Sequence, residues 1–199
     1  MPVQTAGIGR MDMESELKNY LAKENGEPYL GVVHRLDQPV EGILVFAKTP
    51  KAMAALSSQL NAEDGMQKIY LARVYGHLPA ESGSLTDRLV KDARSNLSHV
   101  AAPGEKGAKE AVLDYERLET DAETELLRIR LHTGRHHQIR VQLAHHGAPI
   151  LGDRKYGTPQ MLVCAEKAGI NRLCLLARSL SFRHPVSGKR MEFSVECPF

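Results

Sequence analysis

From Met13 the apolar residues Met13, Leu17, Tyr20 and Leu21 return at the spacing of one helical face, with Asp12 placed to cap the start and Asn25-Gly26 to stop the run. The first ten residues carry no such period and read as loop. Two short strand-like pieces follow, Gly31 to His34 and Gly42 to Ala47, the second holding an Ile-Leu-Val-Phe run. Thr49-Pro50 opens a second helix, because proline at the first helical position gives up an N–H that has no partner there. Met53, Leu56 and Leu60 face one way along it. A strand from Lys68 to Tyr75 ends at Gly76 and Pro79, and the polar, glycine-dotted residues 80 to 108 suggest a hairpin-rich excursion. Ala111 to Leu118 and Glu125 to His132 read as strands. In the second, Leu127, Ile129 and Leu131 alternate with Arg128, Arg130 and His132, which puts the basic side chains on the polar face. Thr133-Gly134 breaks that strand, and a helix is predicted from His136 to His146, closed by Gly147. Leu173 to Phe182 and Arg190 to Val195 are further strand candidates, joined by a His-Pro-Val-Ser-Gly turn. Many strands with few helices between them predict an α+β fold.

Composition narrows the class. The 199 residues, 42% hydrophobic and 25% charged, suit one globular domain with a real core. No apolar run is long enough to cross a membrane, and Met1 to Arg10 lacks the basic and apolar regions of a secretory signal, so a cytoplasmic address is expected. Cys164, Cys174 and Cys197 are too widely spaced for a zinc or redox motif, and buried or idle thiols are expected. The net charge of +2 says little, but its distribution says more. Between Glu125 and Asp153 no acidic residue occurs, while Arg128, Arg130, Arg135 and Arg140 share the window with five histidines. That is the electrostatic footprint expected for a polyanion. Pairing of these arginines with carboxylates elsewhere in the chain is the equal alternative.

Chemistry could sit at three places. Asp37, in His34-Arg35-Leu36-Asp37, stands between a strand and the Gln38-Pro39 turn, on a rigid scaffold but at an open edge. An Asx-turn, with the carboxylate bonding its own backbone, is the structural alternative. Tyr70 lies in the strand from Lys68, where packing is the ordinary role of a tyrosine. The third place is His132 to Arg140, where a glycine turn leads into a helix and puts Arg135 beside unpaired N–H groups that attract anions. Its histidines invite a metal reading, but His132 and His136 are separated by Thr-Gly, His137 and His145 lie two turns apart, and no carboxylate stands nearby in sequence. No metal is expected.

Taken together, these pieces resemble a known family. H-R-L-D-x-x-x-x-G at His34 to Gly42, K-x-Y-x-A-x-V-x-G at Lys68 to Gly76 and T-G-R-x-H-Q-I-R at Thr133 to Arg140 occur in order. Leu143-Ala144-His145, Gly147 to Asp153, Leu180-Ser181-Phe182 and His184-Pro185 follow. From residue 31 onward the chain is similar to the catalytic domain of RluA-type RNA pseudouridine synthases. The resemblance implies a mixed, largely antiparallel β-sheet with flanking helices. It also implies a single catalytic domain over residues 1–199, without the family's first N-terminal strand and without an S4-like module. It makes Asp37 the nucleophile, Tyr70 the residue that packs on the target base and assists proton transfer, and Arg135 the partner of the Asp. Arg35 would fill the gap left by the extruded uridine and Ile139 would line the pocket, with His34 and Arg140 completing the RNA-contacting set. Where the family often has Thr-Ser, this chain has Val40-Glu41.

The implied reaction detaches uracil N1 from the ribose C1′, turns the ring and rejoins it through C5. As an isomerisation it needs no cofactor. An ionised carboxylate is the reactive form, which an adjacent cation favours. Extruding the base costs a few kcal/mol, and stacking on an aromatic face such as Tyr70 returns roughly 1–3 kcal/mol. The expected partner is ribosomal or transfer RNA, with neither a membrane nor an obligate protein partner. A catalytically idle RNA-binding protein on the same scaffold is the alternative, and a histidine-based metal hydrolase a more distant one. Whether Asp37 attacks C1′ or C6, or the reaction runs through a glycal, is left open by the residues.

Overall fold

The structure is a computed structural model that describes residues 2–4, 11–25, 27–60, 62 and 64–199. Most of the loop expected over the first ten residues, and the stop at Gly26, lie outside the described residues. The fold is α+β with mixed, mostly antiparallel sheets, as expected. The chain divides into two compact units, residues 1–68 with 179–195 and residues 69–178 with 196–199. Both are assembled from segments distant in sequence, a division that a residue-by-residue reading of one domain does not reveal.

In the first unit, α1 (Met13–Asn25) starts at Asp12, whose Oδ1 accepts the Ser15 N–H at 2.8 Å, the cap foreseen from the sequence. Tyr20 departs from expectation: it is mostly exposed rather than on a buried face. The two expected strands are shorter than their apolar runs. The first is only β1 (Gly31–Val32), and the second splits into β2 (Glu41–Gly42) and β3 (Phe46–Ala47). Ile43 and Val45 are spent on packing against the apolar cluster of Val33, Ala47, Leu56, Met66, Leu180 and Phe182. Burial thus explains that apolar run better than ladder pairing does. Helix α2 (Pro50–Ser57) begins as predicted, with Thr49 Oγ1 accepting the Ala52 N–H at 3.1 Å and Leu56 turned into the cluster.

The second unit is built on long strands. These are β4 (Gln67–Tyr75), β5 (Ser82–Asp92), β6 (Leu97–Val100), β7 (Lys109–Thr120) and β8 (Thr124–Leu131). With β9 (Leu175–Arg183) they run in the order β9-β4-β8-β7-β5-β6. The division between units falls inside β4 and β9. The far half of β9 pairs antiparallel with β10 (Arg190–Ser194) in the first unit. Two helices complete the second unit, α3 (Gln138–His145) and α4 (Pro159–Lys167). The pattern reading had no counterpart for α4, although Thr158-Pro159 repeats the start signal of Thr49-Pro50. The Thr158 hydroxyl accepts the Met161 N–H at 3.2 Å.

Part of the basic window is paired with carboxylates. Arg128 lies directly opposite Glu116 on β7 and is paired with it, and His132 meets Asp114 at 2.5 Å. His146 reaches Asp87 at 3.2 Å. Of the window's four arginines, Arg128 and Arg140 have carboxylate partners, Glu116 and Asp153, so carboxylate pairing accounts for half of them. Elsewhere in this unit Glu125, fully buried, lies 2.6 Å from Arg117 Nε and accepts the Leu78 N–H at 3.2 Å.

Candidate active site

In the first unit, His34, Arg35 and Asp37 lie on the loop between β1 and β2. The loop turns at a cis Gln38–Pro39 bond, and the Val40 N–H donates to the Asp37 main-chain carbonyl at 2.7 Å. The bond that closes this turn therefore comes from the backbone of Asp37, which is half-buried. Arg35 is exposed. His34 is partly buried, and its Nε2 has no hydrogen-bond partner among the described residues. Burial pushes its pKa down to about 4, with the nearby Lys68 ammonium adding to the effect. Burial likewise lowers that of Lys68. His34 is thus neutral over the physiological range.

In the second unit lie Tyr70, Arg135, Ile139 and Arg140. Tyr70 is buried on β4, opposite Ile129 of β8. Arg135 occupies a segment tied down by side chains. Thr133 Oγ1 accepts the Val112 N–H at 2.8 Å and donates to Gln138 Oε1 at 2.9 Å. The same Gln138 oxygen accepts the Arg135 N–H at 2.9 Å, while Gln138 Nε2 donates to the Val112 carbonyl at 3.1 Å. The exposed Arg135 side chain donates through Nε to the Glu110 carbonyl at 2.7 Å.

This corrects the expected helix start. Helix α3 begins at Gln138, not His136, because His137 takes a left-handed conformation (φ 54°) and ends the loop. Arg135 is therefore not flanked by open helix N–H groups; its own N–H is already bound to Gln138. Ile139 is buried. Arg140 departs from the expectation of an RNA contact. Its guanidinium is 3% exposed and grips Asp153, itself 0% exposed, in a fork of Nε to Oδ2 at 2.7 Å and NH2 to Oδ1 at 2.6 Å. Asp153 also accepts the N–H groups of Lys155 and Tyr156. The adjoining Gly152 has φ +75°, and a Cβ there would lie 1.9 Å from the Arg172 carbonyl oxygen, so only glycine fits.

Sequence reasoning missed a polar group behind this segment. Tyr156, three residues after Asp153, lies with its ring under the Arg140 guanidinium, 5.1 Å from centroid to Cζ. Its hydroxyl accepts the Ser98 N–H at 2.9 Å and sits 2.6 Å from His137 Nδ1. His137 stacks on His136 at 3.8 Å between centroids, and Ser98 Oγ is 2.9 Å from His136 Nδ1. Burial, reinforced by Arg140 and other cations nearby, pushes the His137 pKa down to about 3. The signal available in the sequence was the Asp-x-x-Tyr-Gly run continuing Gly152-Asp153.

Residues 1–145 match the family model described as RNA pseudouridylate synthase. The chain belongs to that family. The three motifs carrying Asp37, Tyr70 and Arg135 all fall inside the pseudouridylate synthase match. A ribosomal large subunit pseudouridine synthase D of Xanthomonas campestris is 38% identical over 178 residues, covering 86% of this chain and 52% of that protein. A ribosomal large subunit pseudouridine synthase C of Buchnera aphidicola is 36% identical, covering 83% of this chain and 52% of the relative. The chain thus spans about half the length of the curated relatives it matches. Among solved structures, human RNA pseudouridylate synthase domain containing 4 matches 100% of this chain and 82% of its own with a TM-score of 0.80 at 22% identity, a likeness of fold. Among the described residues no helix is long and apolar enough to cross a membrane.

Proposed function

We propose that this chain is an RNA pseudouridine synthase that isomerises uridines of large-subunit ribosomal RNA, with Asp37 as the nucleophile. The observation that supports it most is the joint presence of Asp37, Tyr70 and Arg135 in three motifs of a family-matched region, a set that RNA binding alone does not require. Ribosomal RNA is preferred to transfer RNA because relatives at 35–38% identity bear ribosomal large subunit names. In this reading the N1–C1′ bond breaks and C5–C1′ forms, the C5 proton leaves to solvent and N1 gains one. No cofactor takes part. Asp37 attacks as the carboxylate, Tyr70 stacks on the uracil, Arg135 supplies the cation that favours the ionised form, and Ile139 adds an apolar wall. Arg35, exposed on the Asp37 loop, is the side chain offered to the RNA stack, with the neutral His34 behind it. Arg140 is read as a brace for the fold rather than as an RNA ligand.

A binding-only role is the second reading, motivated by Val40-Glu41 where the family often carries Thr-Ser. The two part cleanly in one assay. Unmodified large-subunit ribosomal RNA and transfer RNA are each incubated with the protein, and pseudouridines are mapped by chemical labelling and primer extension. Discrete new pseudouridines in the ribosomal transcript are expected. Tight binding without a new pseudouridine in either RNA supports the second reading and rejects the first.

A further inference from the structure

We infer that Tyr156 is a positioning residue for the proposed isomerisation, holding the Arg135 segment in its working conformation through a polar clasp that joins β6 to the His136-His137 pair. The inference rests on the synthase reading for what the clasp is used for, but the clasp itself stands on geometry within the second unit. His137 is the first residue after Arg135 and His136, and its left-handed backbone sets the direction in which the chain enters α3. The His137 side chain makes no cap hydrogen bond at that helix start. The conformation must be held by something else.

Three contacts converge there. The Tyr156 hydroxyl meets both the Ser98 N–H and His137 Nδ1, and Ser98 Oγ meets His136 Nδ1. Tyr156 is fixed in turn: its backbone N–H donates to Asp153 Oδ1 at 3.2 Å, and its ring lies beneath the Arg140 guanidinium held by the same Asp153. The buried Asp153–Arg140 pair and the partly buried Tyr156 thus form a support, and the Tyr156 hydroxyl is where it reaches the Arg135–His137 segment. An apolar ring would pack equally well. A hydroxyl with one proton and two lone pairs is needed to bridge an amide and an imidazole.

Tyr156→Phe removes the hydroxyl and keeps the ring. Hydrogen exchange and imidazole nitrogen resonances of the intact chain are recorded beside tritium release from ribosomal RNA labelled at uracil C5. Loss of the hydrogen bonds should speed exchange at the Ser98, Arg135 and Gln138 amides by about tenfold or more and shift the His137 ring nitrogens. Misplacement on this scale should lower kcat by roughly tenfold to a hundredfold while KM for RNA moves little. Ser98→Ala, which removes only the Oγ contact to His136, should act in the same direction and more weakly. Unchanged exchange and ring resonances in Tyr156→Phe would overturn the clasp. Accelerated exchange with native kcat would overturn its positioning role. A native chain inactive on ribosomal RNA would reject the synthase reading instead, and the exchange and resonance data would still decide the clasp.

Discussion

Asp37 and Arg135 are held by different means. In the first unit the nucleophile candidate sits on a turn closed through its own main chain, between strands of only two residues, and the unit's core is a cluster held by apolar packing. In the second, the cation candidate sits on a segment fastened by Thr133, Gln138 and the Glu110 carbonyl, next to a buried ion pair and long ladders. Apolar packing is forgiving of small shifts; a buried polar network holds its geometry only while every member is satisfied. The Asp37 candidate thus lies in a unit held by hydrophobic burial and the Arg135 candidate on a segment held by directional bonds, so the two should fail in different ways.

Asp153→Ala should give the largest effect. It leaves the Arg140 guanidinium buried without its counter-charge, which costs about 3–5 kcal/mol. Urea unfolding would measure it, and a loss under about 1 kcal/mol would mean that the ion pair is dispensable. In the first unit, Leu180→Ala removes volume from the apolar cluster and should cost about 2–5 kcal/mol, depending on how far the neighbours collapse. Hydrogen exchange should then quicken mainly in β1, β3 and α2, with β7 and β8 keeping more of their protection. Equal acceleration in both units would erase the contrast between them.

Acid should test both units through one histidine each. His34 and His137 have folded pKa values depressed to about 4 and about 3, below the ordinary 6.5. Between those values and 6.5 the unfolded chain binds more protons, so stability falls as pH drops through that window. His34→Gln should flatten the upper part of the slope, and His137→Gln should also flatten the part reaching further down. A slope unchanged by either substitution would contradict their burial as neutral rings. The smallest effects should come from the helix caps. Thr49→Ala and Thr158→Ala each remove one side-chain acceptor and should cost about 1 kcal/mol in thermal or urea unfolding.

The parts of the fold that could be read in advance were those whose cause is local. Thr49-Pro50 announces α2 because cap and proline act within one turn, and the alternation of Leu127 and Ile129 with Arg128 and Arg130 announces β8 for the same reason. Thr158-Pro159 carried the same message for α4, but Met161 and Ala165 provide only one buried pair at helical spacing, too little for a periodic signal. The candidate site residues stand in motifs that the sequence displays; their bonding is not legible there. Gln138 reaches back to Thr133 and Arg135, and Arg140 finds Asp153 thirteen residues on, so the histidine-rich stretch reads as more helical, and Arg140 as more exposed, than they are. Glu116 and Asp114 neutralise the basic face from another strand, a register that only chain pairing sets.

The role of the Asp37 carboxylate is reached most directly by tritium release from ribosomal RNA labelled at uracil C5, comparing the native chain with Asp37→Asn. That substitution keeps the side chain's size and removes its negative charge. Release by the native chain, and a rate lower by roughly a thousandfold or more in the variant, is the predicted result. Equal release from the two proteins would contradict it.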